Sequence, residues 1–237
     1  GITTIGYKTF DRCTSLKSIT IPDNITSIGE SAFERCTSLT SIIIPDSVAT
    51  IGNMAFFYCE GLQNLSISEN VTSIGSNAFG SCSNLTSITI PKSVSTIGNG
   101  NFSGCNNLQN IYVSDENNYF TDIDGVLFSK NLSTLLAYPL GKSEPNYSIP
   151  NGVKNIEKNV FYKCNNLVSV DIPEGVTAIG NGAFEKCENL IDVNMPSTME
   201  SIGDDAFSGC TNLKNITIPN GVTSINYDTF YECSSLE

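Results

Sequence analysis

The 237-residue sequence predicts an α/β repeat solenoid, in which short units stack and share a parallel sheet on one face. Its nine cysteines are spaced 23 residues apart except for one interval of 59. A phenylalanine precedes each cysteine by three residues, and a leucine follows each by three. A unit of this length cannot bury its apolar side alone, so equivalent residues of neighbouring units must pack against one another.

The segments of one repeat each indicate a local structure. Residues 16–22 alternate apolar and polar side chains, which predicts a short strand that ends at Pro22 because proline cannot donate to a sheet ladder. Residues 25–29 predict a second short strand followed by a tight turn at Gly29. The A-F-x-x-C stretch places inward residues three apart, which favours one short helical or 3₁₀ turn.

The interval of 59 residues divides the predicted array into three parts. Residues 1–114 contain five regular coils, 115–151 one enlarged atypical coil, and 152–237 four regular coils of which the last is incomplete. The array therefore has about ten coils. Within the enlarged coil, residues 123–128 and 132–138 flank a polar turn at 129–131, which predicts a β-hairpin in place of the A-F-x-x-C turn.

The composition excludes several classes of function. The chain has no histidine, and its 24 acidic against 12 basic residues give a net charge of -12. A phosphate backbone would repel this surface, so no nucleic-acid partner is expected. No apolar run is long enough to span a bilayer, so this segment is not expected to insert into a membrane. Without imidazole there is no histidine-dependent triad, and no cofactor or metal is expected.

Carboxylates are the remaining acid–base groups, and we considered two pairs of them. Asp171 and Asp192 are expected to lie diagonally on neighbouring strands, on an open surface that forms no cleft. Asp122 and Asp124 belong to a D-I-D-G sequence that lacks the spaced ligands of a calcium loop and instead predicts a turn. We therefore expect no enzymatic activity.

The cysteines have two structural interpretations. Stacked coils bring equivalent Cα atoms close enough for a disulfide, but their Cβ vectors run parallel and the number of cysteines is odd. No C-x₂-C pair for zinc occurs. The favoured interpretation is a ladder of buried, reduced thiols that pack as small apolar side chains.

The repeat A-F-x-x-C-x-x-L-x-x-I-x-I-P resembles the BspA-like leucine-rich repeat family, and the match extends over essentially the whole chain. Residues 123–139 are similar to a hairpin coil that recurs in that family. The resemblance implies a leucine-rich-repeat fold, a secreted or cell-surface location, adhesion to host or microbial surfaces, and no shared catalytic residues. The departures are local: serine replaces the repeat proline at 68 and 114, and Glu157 and Asn226 replace the repeat glycine.

A binding surface is expected on the outward positions of the first strand in each repeat, which mostly hold small polar residues. Aromatic residues near the enlarged coil interrupt this pattern, and later strands add polar and acidic ones. The candidate ligand-binding residues are Tyr112, Tyr119, Phe120, Tyr138, Asp171, Asp192 and Asn194. The alternative for the aromatic residues is that they seal the core beneath the enlarged coil.

These observations predict a non-enzymatic interaction module whose partner is a protein or glycan on a host or neighbouring cell. The alternative is a structural spacer or stalk that projects another domain from the cell surface. Because residues 1–5 begin partway through a coil and residues 236–237 stop at an expected strand, we also expect a longer native array, or end-to-end association of this fragment.

Overall fold

The computed structural model describes residues 1–237, which divide into two compact units, 1–130 and 131–237. Both units are built from strands of two to four residues joined by turns, and neither contains a helix. The strands of the first unit are β1 (Thr4–Ile5), β2 (Ser27–Ile28), β3 (Ser41–Ile43), β4 (Thr50–Ile51), β5 (Asn64–Ser66), β6 (Ser73–Ile74), β7 (Ser87–Ile90), β8 (Thr96–Ile97), β9 (Asn110–Val113), β10 (Phe120–Ile123) and β11 (Val126–Ser129).

The strands of the first unit form one five-stranded parallel ladder, two parallel pairs and one antiparallel pair. Strands β1, β2, β4, β6 and β8 pair in that order, with the isoleucine of each opposite the isoleucine of the next. Strands β3 and β5 pair in parallel, as do β7 and β9. The outward residues of these four strands form what we call the strand face. Strands β10 and β11 pair antiparallel around a turn at Asp124 and Gly125.

The second unit repeats this arrangement. Its strands are β12 (Thr134–Ala137), β13 (Asn146–Ser148), β14 (Asn155–Ile156), β15 (Ser169–Asp171), β16 (Ala178–Ile179), β17 (Asp192–Asn194) and β18 (Ser201–Ile202). Strands β12, β14, β16 and β18 pair in parallel in one ladder, and β13, β15 and β17 in another. The outward residues of the second ladder form the strand face of this unit.

The prediction of short helical turns in the A-F-x-x-C stretch was wrong. In the second repeat, Cys36 N–H bonds to the Phe33 carbonyl of its own coil at 3.2 Å, while Phe33 N–H bonds to Ala55 in the next coil at 2.7 Å. Ser31 and Arg35 adopt left-handed φ values of 53° and 59°. Alternate amides therefore pair between coils, and the left-handed residues prevent the continuous ladder that a helix requires.

The predicted ten coils are also not found, because the structure has about nine turns. Nine short second strands are present, one in each turn: β1, β2, β4, β6 and β8 in the first unit and β12, β14, β16 and β18 in the second. The last repeat does not form its second strand. There Asn226 replaces the repeat glycine, and its side-chain amide donates to the Ile202 carbonyl at 2.6 Å, in place of the backbone bond made by the glycine of other repeats.

The enlarged coil contains more turns than the sequence pattern indicated. Strand β12 lies within the second predicted hairpin segment, 132–138. The first predicted segment, 123–128, is interrupted by the turn at Asp124 and Gly125, so that β10 and β11 pair there. This turn agrees with the interpretation of D-I-D-G as a turn. Gly125 has a φ of 73°, a conformation that glycine adopts without steric cost.

The core consists of the repeated apolar residues, as the sequence predicted. In the first unit, the rings of Phe10, Phe33, Phe56 and Phe79 stack nearly parallel, with centroids 5.0 to 5.7 Å apart. In the second unit, Phe161, Phe184, Phe207 and Phe230 form a similar stack. Each stack joins neighbouring coils through burial and aromatic contact, which is the stabilisation expected for a repeat array.

Candidate functional site

The hairpin of the first unit holds Tyr112 at the outward position of β9. The amide of Ile111 donates to the Gly125 carbonyl at 2.8 Å, and the amide of Val113 donates to Asp122 Oδ1 at 2.7 Å. These two bonds lie on either side of Tyr112 in the chain. They fix the backbone that carries it, and the ring is about half exposed.

The strand face of the first unit contains a second exposed apolar residue. Ile43 of β3 lies opposite Ser66 of β5, and Thr89 of β7 lies opposite Tyr112 of β9. Ile43 is 71% exposed, and Tyr112 is 47% exposed. The row of four equivalent positions thus begins and ends with a large apolar side chain and has small hydroxyl side chains between them. The sequence pattern placed Ile43 on this face but gave no reason to select it.

The other aromatic candidates separate into exposed and buried residues. Tyr119 is exposed and directly precedes β10. Phe120 is buried in the first unit. In the second unit Tyr138 is buried against Tyr147 and Phe161, with ring centroids 4.8 and 5.1 Å away, and burial raises the pKa of its hydroxyl. Phe120 and Tyr138 therefore lie in the core, as the alternative interpretation proposed, and Tyr112 and Tyr119 remain on the surface.

The polar candidates lie on the strand face of the second unit in the register that the repeat predicts. Asp192 pairs with Ser169, and Asn194 pairs with Asp171, so Asp171 and Asp192 are diagonal neighbours. Ser148 donates a hydrogen bond to Asp171 Oδ2 at 3.2 Å. These side chains form an open polar surface, and no group of three or more acidic or cysteine residues has the arrangement of a metal site.

Sequence reasoning missed a depression on the first unit lined by Arg12, Thr14, Arg35, Thr37, Tyr58 and Glu60. Both arginines of the chain are in this group, and each directly precedes a repeat cysteine. The Arg35 guanidinium lies 5.1 Å from the centroid of the Tyr58 ring. Each arginine also pairs through Nε with the preceding carboxylate, Asp11 at 3.9 Å or Glu34 at 3.6 Å. The charges in this depression are thus largely compensated.

The cysteines form the expected ladder of free thiols. All nine are unpaired, and seven of them are fully buried. The thiol of Cys59 donates to the Phe33 carbonyl of the preceding coil at 3.1 Å, and equivalent bonds recur along both units. Burial raises the pKa of Cys36 to about 11 and that of Cys105 to about 12. The expectation of nine buried thiols needs correction at the first and last repeats, where Cys13 is exposed and Cys233 is partly exposed.

Alkylation should therefore distinguish these positions. We expect iodoacetamide at about pH 8 to modify Cys13 rapidly and Cys233 slowly in the native chain, since only thiolates react and buried thiols stay protonated. The other seven should react only after unfolding, when all nine become available. Peptide mass spectrometry measures each position separately. Modification of Cys59 at the rate of Cys13 in the folded chain would contradict the ladder.

The repeat unit, its register and the hairpin coil can be compared with known proteins. A family model described as the BspA type leucine rich repeat region matches residues 3–133 and 141–237, in six copies. The chain belongs to this family. A search of curated proteins finds no match. No helix of this BspA-type chain has the length and apolar character needed to cross a membrane.

Solved structures of bacterial leucine-rich repeat proteins are similar to this BspA-type chain. A leucine rich cell surface protein from Faecalibacterium prausnitzii is 35% identical, with a TM-score of 0.85 over all of this chain and 69% of its own. The pneumococcal vaccine antigen PcpA is 28% identical, with a TM-score of 0.77 over 84% of this chain and 55% of its own. A leucine-rich repeat protein from Eubacterium ventriosum is 25% identical, with a TM-score of 0.71 over 93% and 71%.

Proposed function

We propose that this chain is the non-enzymatic ligand-binding array of a secreted or cell-surface protein, and that it adheres to a protein on a host or neighbouring cell. The observation that supports this proposal is the row on the first strand face, where Ile43 and Tyr112 are exposed at positions otherwise held by small polar side chains. Membership of the BspA-type family, and a similar protein described as a cell surface protein, agree with this location.

The row has the features of a protein-binding surface. Exposed isoleucine and tyrosine side chains gain apolar burial when a partner covers them, and tyrosine is enriched among the residues that dominate binding energy. The row spans three coil spacings, or about 14 Å, which suits a flat protein surface better than a small molecule. The hairpin bonds on both sides of Tyr112 reduce the ordering cost that a partner has to meet.

The test is binding to a panel of immobilised mammalian extracellular-matrix and cell-surface proteins, measured by surface plasmon resonance. We expect at least one partner that binds with a Kd of about 1 μM or lower. Tyr112→Ala should lower the affinity for that partner about 30-fold, which is the effect typical of truncating a hot-spot residue. Ile43→Ser, which restores the small polar pattern, should weaken the same partner.

Tyr7→Ala is the matched control, because Tyr7 is an exposed tyrosine of the same unit that lies in a turn and not on the strand face. It should leave binding unchanged. An equal loss for Tyr7→Ala, or the absence of any partner that depends on Tyr112, would favour the alternative of a structural spacer. The small polar residues on most of the strand face fit that alternative.

A further inference from the structure

A depression in the second unit is lined entirely by uncharged residues, although the chain carries 36 charged ones, 24 acidic and 12 basic. The lining includes four asparagines, at positions 165, 166, 189 and 212, and two apolar residues, Val168 and Ile191. Asn166, Asn189 and Asn212 each follow a repeat cysteine by two residues. The repeat therefore places one of these side-chain amides in each of three consecutive coils. We call this surface the asparagine groove.

Hydrogen bonds within the unit orient the first amides of the asparagine groove. Asn165 Oδ1 accepts the backbone N–H of Glu188 at 3.0 Å, and Asn189 Nδ2 donates to the Asn165 carbonyl at 2.8 Å. Asn166 Nδ2 donates to two backbone carbonyls of the preceding coil, at 3.2 and 2.9 Å. Each of these bonds uses one end of the amide.

The other ends of these amides are available to a ligand. Asn165 keeps its amide donors, while Asn166 and Asn189 keep their side-chain carbonyl acceptors. Asn212 is exposed, and its side chain makes no hydrogen bond within the protein. The groove thus presents both donors and acceptors, and the internal bonds that hold Asn165, Asn166 and Asn189 reduce the rearrangement needed for binding.

The groove lining includes two apolar residues, and this distinguishes it from the equivalent surface of the first unit. Val168 and Ile191 follow their cysteines by four residues, and Ile191 is 38% exposed. In the first unit the same position holds only polar or charged residues: Lys17, Thr40, Gln63, Thr86 and Gln109. The combination of amides with apolar residues at this repeat position therefore occurs in the second unit alone.

We infer that the asparagine groove is a binding site for a linear neutral glycan. Hydroxyl groups both donate and accept, so they match a row of amides that offers both functions without charge. The C–H faces of pyranose rings can pack on Val168 and Ile191. A glycan that runs along the groove would meet an equivalent amide in each coil, every ~4.8 Å, which is close to the length of one pyranose unit.

Other ligands fit the groove less well. Equivalent groups of an extended peptide recur every ~6.8 Å, so a peptide along the groove would lose register with the amides within two coils. An anionic glycan would gain nothing from a lining without cations, and it would be repelled by a chain of net charge -12. None of the residues that line the groove belongs to the strand face of the first unit, so this inference does not rest on the proposed function.

The experiment uses the whole chain and neutral hexose polymers: β-glucan, α-mannan, galactan and their short oligosaccharides, with heparin and polygalacturonate as anionic comparisons. Binding is measured by isothermal titration calorimetry, and ¹⁵N-resolved NMR follows the side-chain amides of asparagine. We expect one neutral class to bind and to shift the amide signals of Asn189 and Asn212. Asn212→Ala, which breaks no internal hydrogen bond, should weaken that glycan about tenfold.

Asn84→Ala is the matched control, because Asn84 occupies the same repeat position in the first unit, is exposed and has no side-chain hydrogen bond. Neither Asn84→Ala nor Tyr112→Ala should change glycan affinity. The inference is overturned if no neutral glycan binds, if the anionic polymers bind as tightly, or if Asn84→Ala weakens binding as much as Asn212→Ala. Binding that leaves the groove asparagine signals unshifted would also overturn it.

Discussion

Replacing Phe56 with alanine is expected to lower the free energy of unfolding by about 3–5 kcal/mol. The Phe56 ring is fully buried and stacks on Phe33 and Phe79, with centroids 5.2 and 5.7 Å away. Truncation removes the apolar burial of the Phe56 ring and both of its stacking contacts. Phe33 and Phe79 each also lose the van der Waals contacts on the face that packed against Phe56. The stability change is measured by urea denaturation followed by circular dichroism.

Phe57 provides a control at the adjacent position. Its ring is only partly buried and contacts Tyr58 edge to face, with centroids 4.4 Å apart. Phe57→Ala should therefore cost well under half as much as Phe56→Ala. Because coils contact only their neighbours, hydrogen exchange should show the loss of protection for Phe56→Ala concentrated in the coils around residue 56. A cost below about 1 kcal/mol would mean that the phenylalanine stack does not stabilise the array.

The core and the strand register could be predicted from the sequence because they follow from periodicity alone. A fixed spacing of 23 residues places each phenylalanine, cysteine and leucine over its equivalent, which requires no knowledge of turn geometry. The same spacing placed Asp171 beside Asn194 and Thr89 beside Tyr112, and the structure confirms both pairs. The repeat spacing alone therefore predicts which side chains pack together in the core and which residues pair on the outward face.

Features that depend on backbone conformation could not be predicted in this way. Positions with positive φ hold residues as different as Arg35, Met54, Tyr58 and Ser81, so composition gave no sign of the left-handed corners that exclude a helix. The sequence also did not determine which aromatic residues near the enlarged coil are buried. Phe120 and Tyr119 are adjacent aromatic residues, but only the strand pairing of β10 decides which one enters the core.

The asparagine groove was missed because each asparagine appears as one more polar residue after a cysteine. The unusual feature is the pairing of these amides with Ile191, which lies two residues later in its repeat than Asn189. Alignment of the repeats by position would have shown that this column changes from polar in the first unit to apolar at Val168 and Ile191. Differences between equivalent positions, more than the consensus itself, therefore identify candidate binding surfaces in a repeat array.

A glycine follows the second strand in most repeats, and in the middle of the first unit the close approach of the coils requires it. Gly75 lies seven residues before Cys82, and its amide donates to the Ile51 carbonyl of the preceding coil at 2.8 Å. A Cβ atom added there would lie 2.6 Å from the carbonyl carbon of Gly52 and closer still to the backbone nitrogen of Asn53. Backbone atoms cannot rotate away as a side chain can, so the coils themselves would have to separate.

Gly75→Ala is expected to lower the free energy of unfolding by about 3 kcal/mol, the upper part of the usual range for overpacking, because the coil contact has no room for a methyl group. Gly6→Ala is the control. It changes the glycine at the same repeat position of the first coil, where the nearest atom to the added Cβ is Thr9 Oγ1 at an ordinary 3.6 Å. There alanine should be neutral or slightly stabilising, because it reduces the freedom of the unfolded chain.

Larger residues replace this glycine in two repeats, with different results. Glu157 follows the enlarged coil, where strand β14 forms and the Glu157 amide donates to the Leu135 carbonyl at 3.0 Å. The last repeat differs. Asn226 replaces the glycine, the second strand is absent, and Ile225 is half exposed although its equivalents are mostly buried. The added methyl at Gly75 meets backbone atoms of the preceding coil, so Gly75→Ala should loosen strand β6, with faster hydrogen exchange at the amides of Thr72, Gly75 and Gly98. Both variants are measured by urea denaturation. Equal free energies of unfolding for Gly75→Ala and Gly6→Ala would show that the coils accommodate a methyl group at position 75 without loss of stability, and that the close contact does not require glycine there.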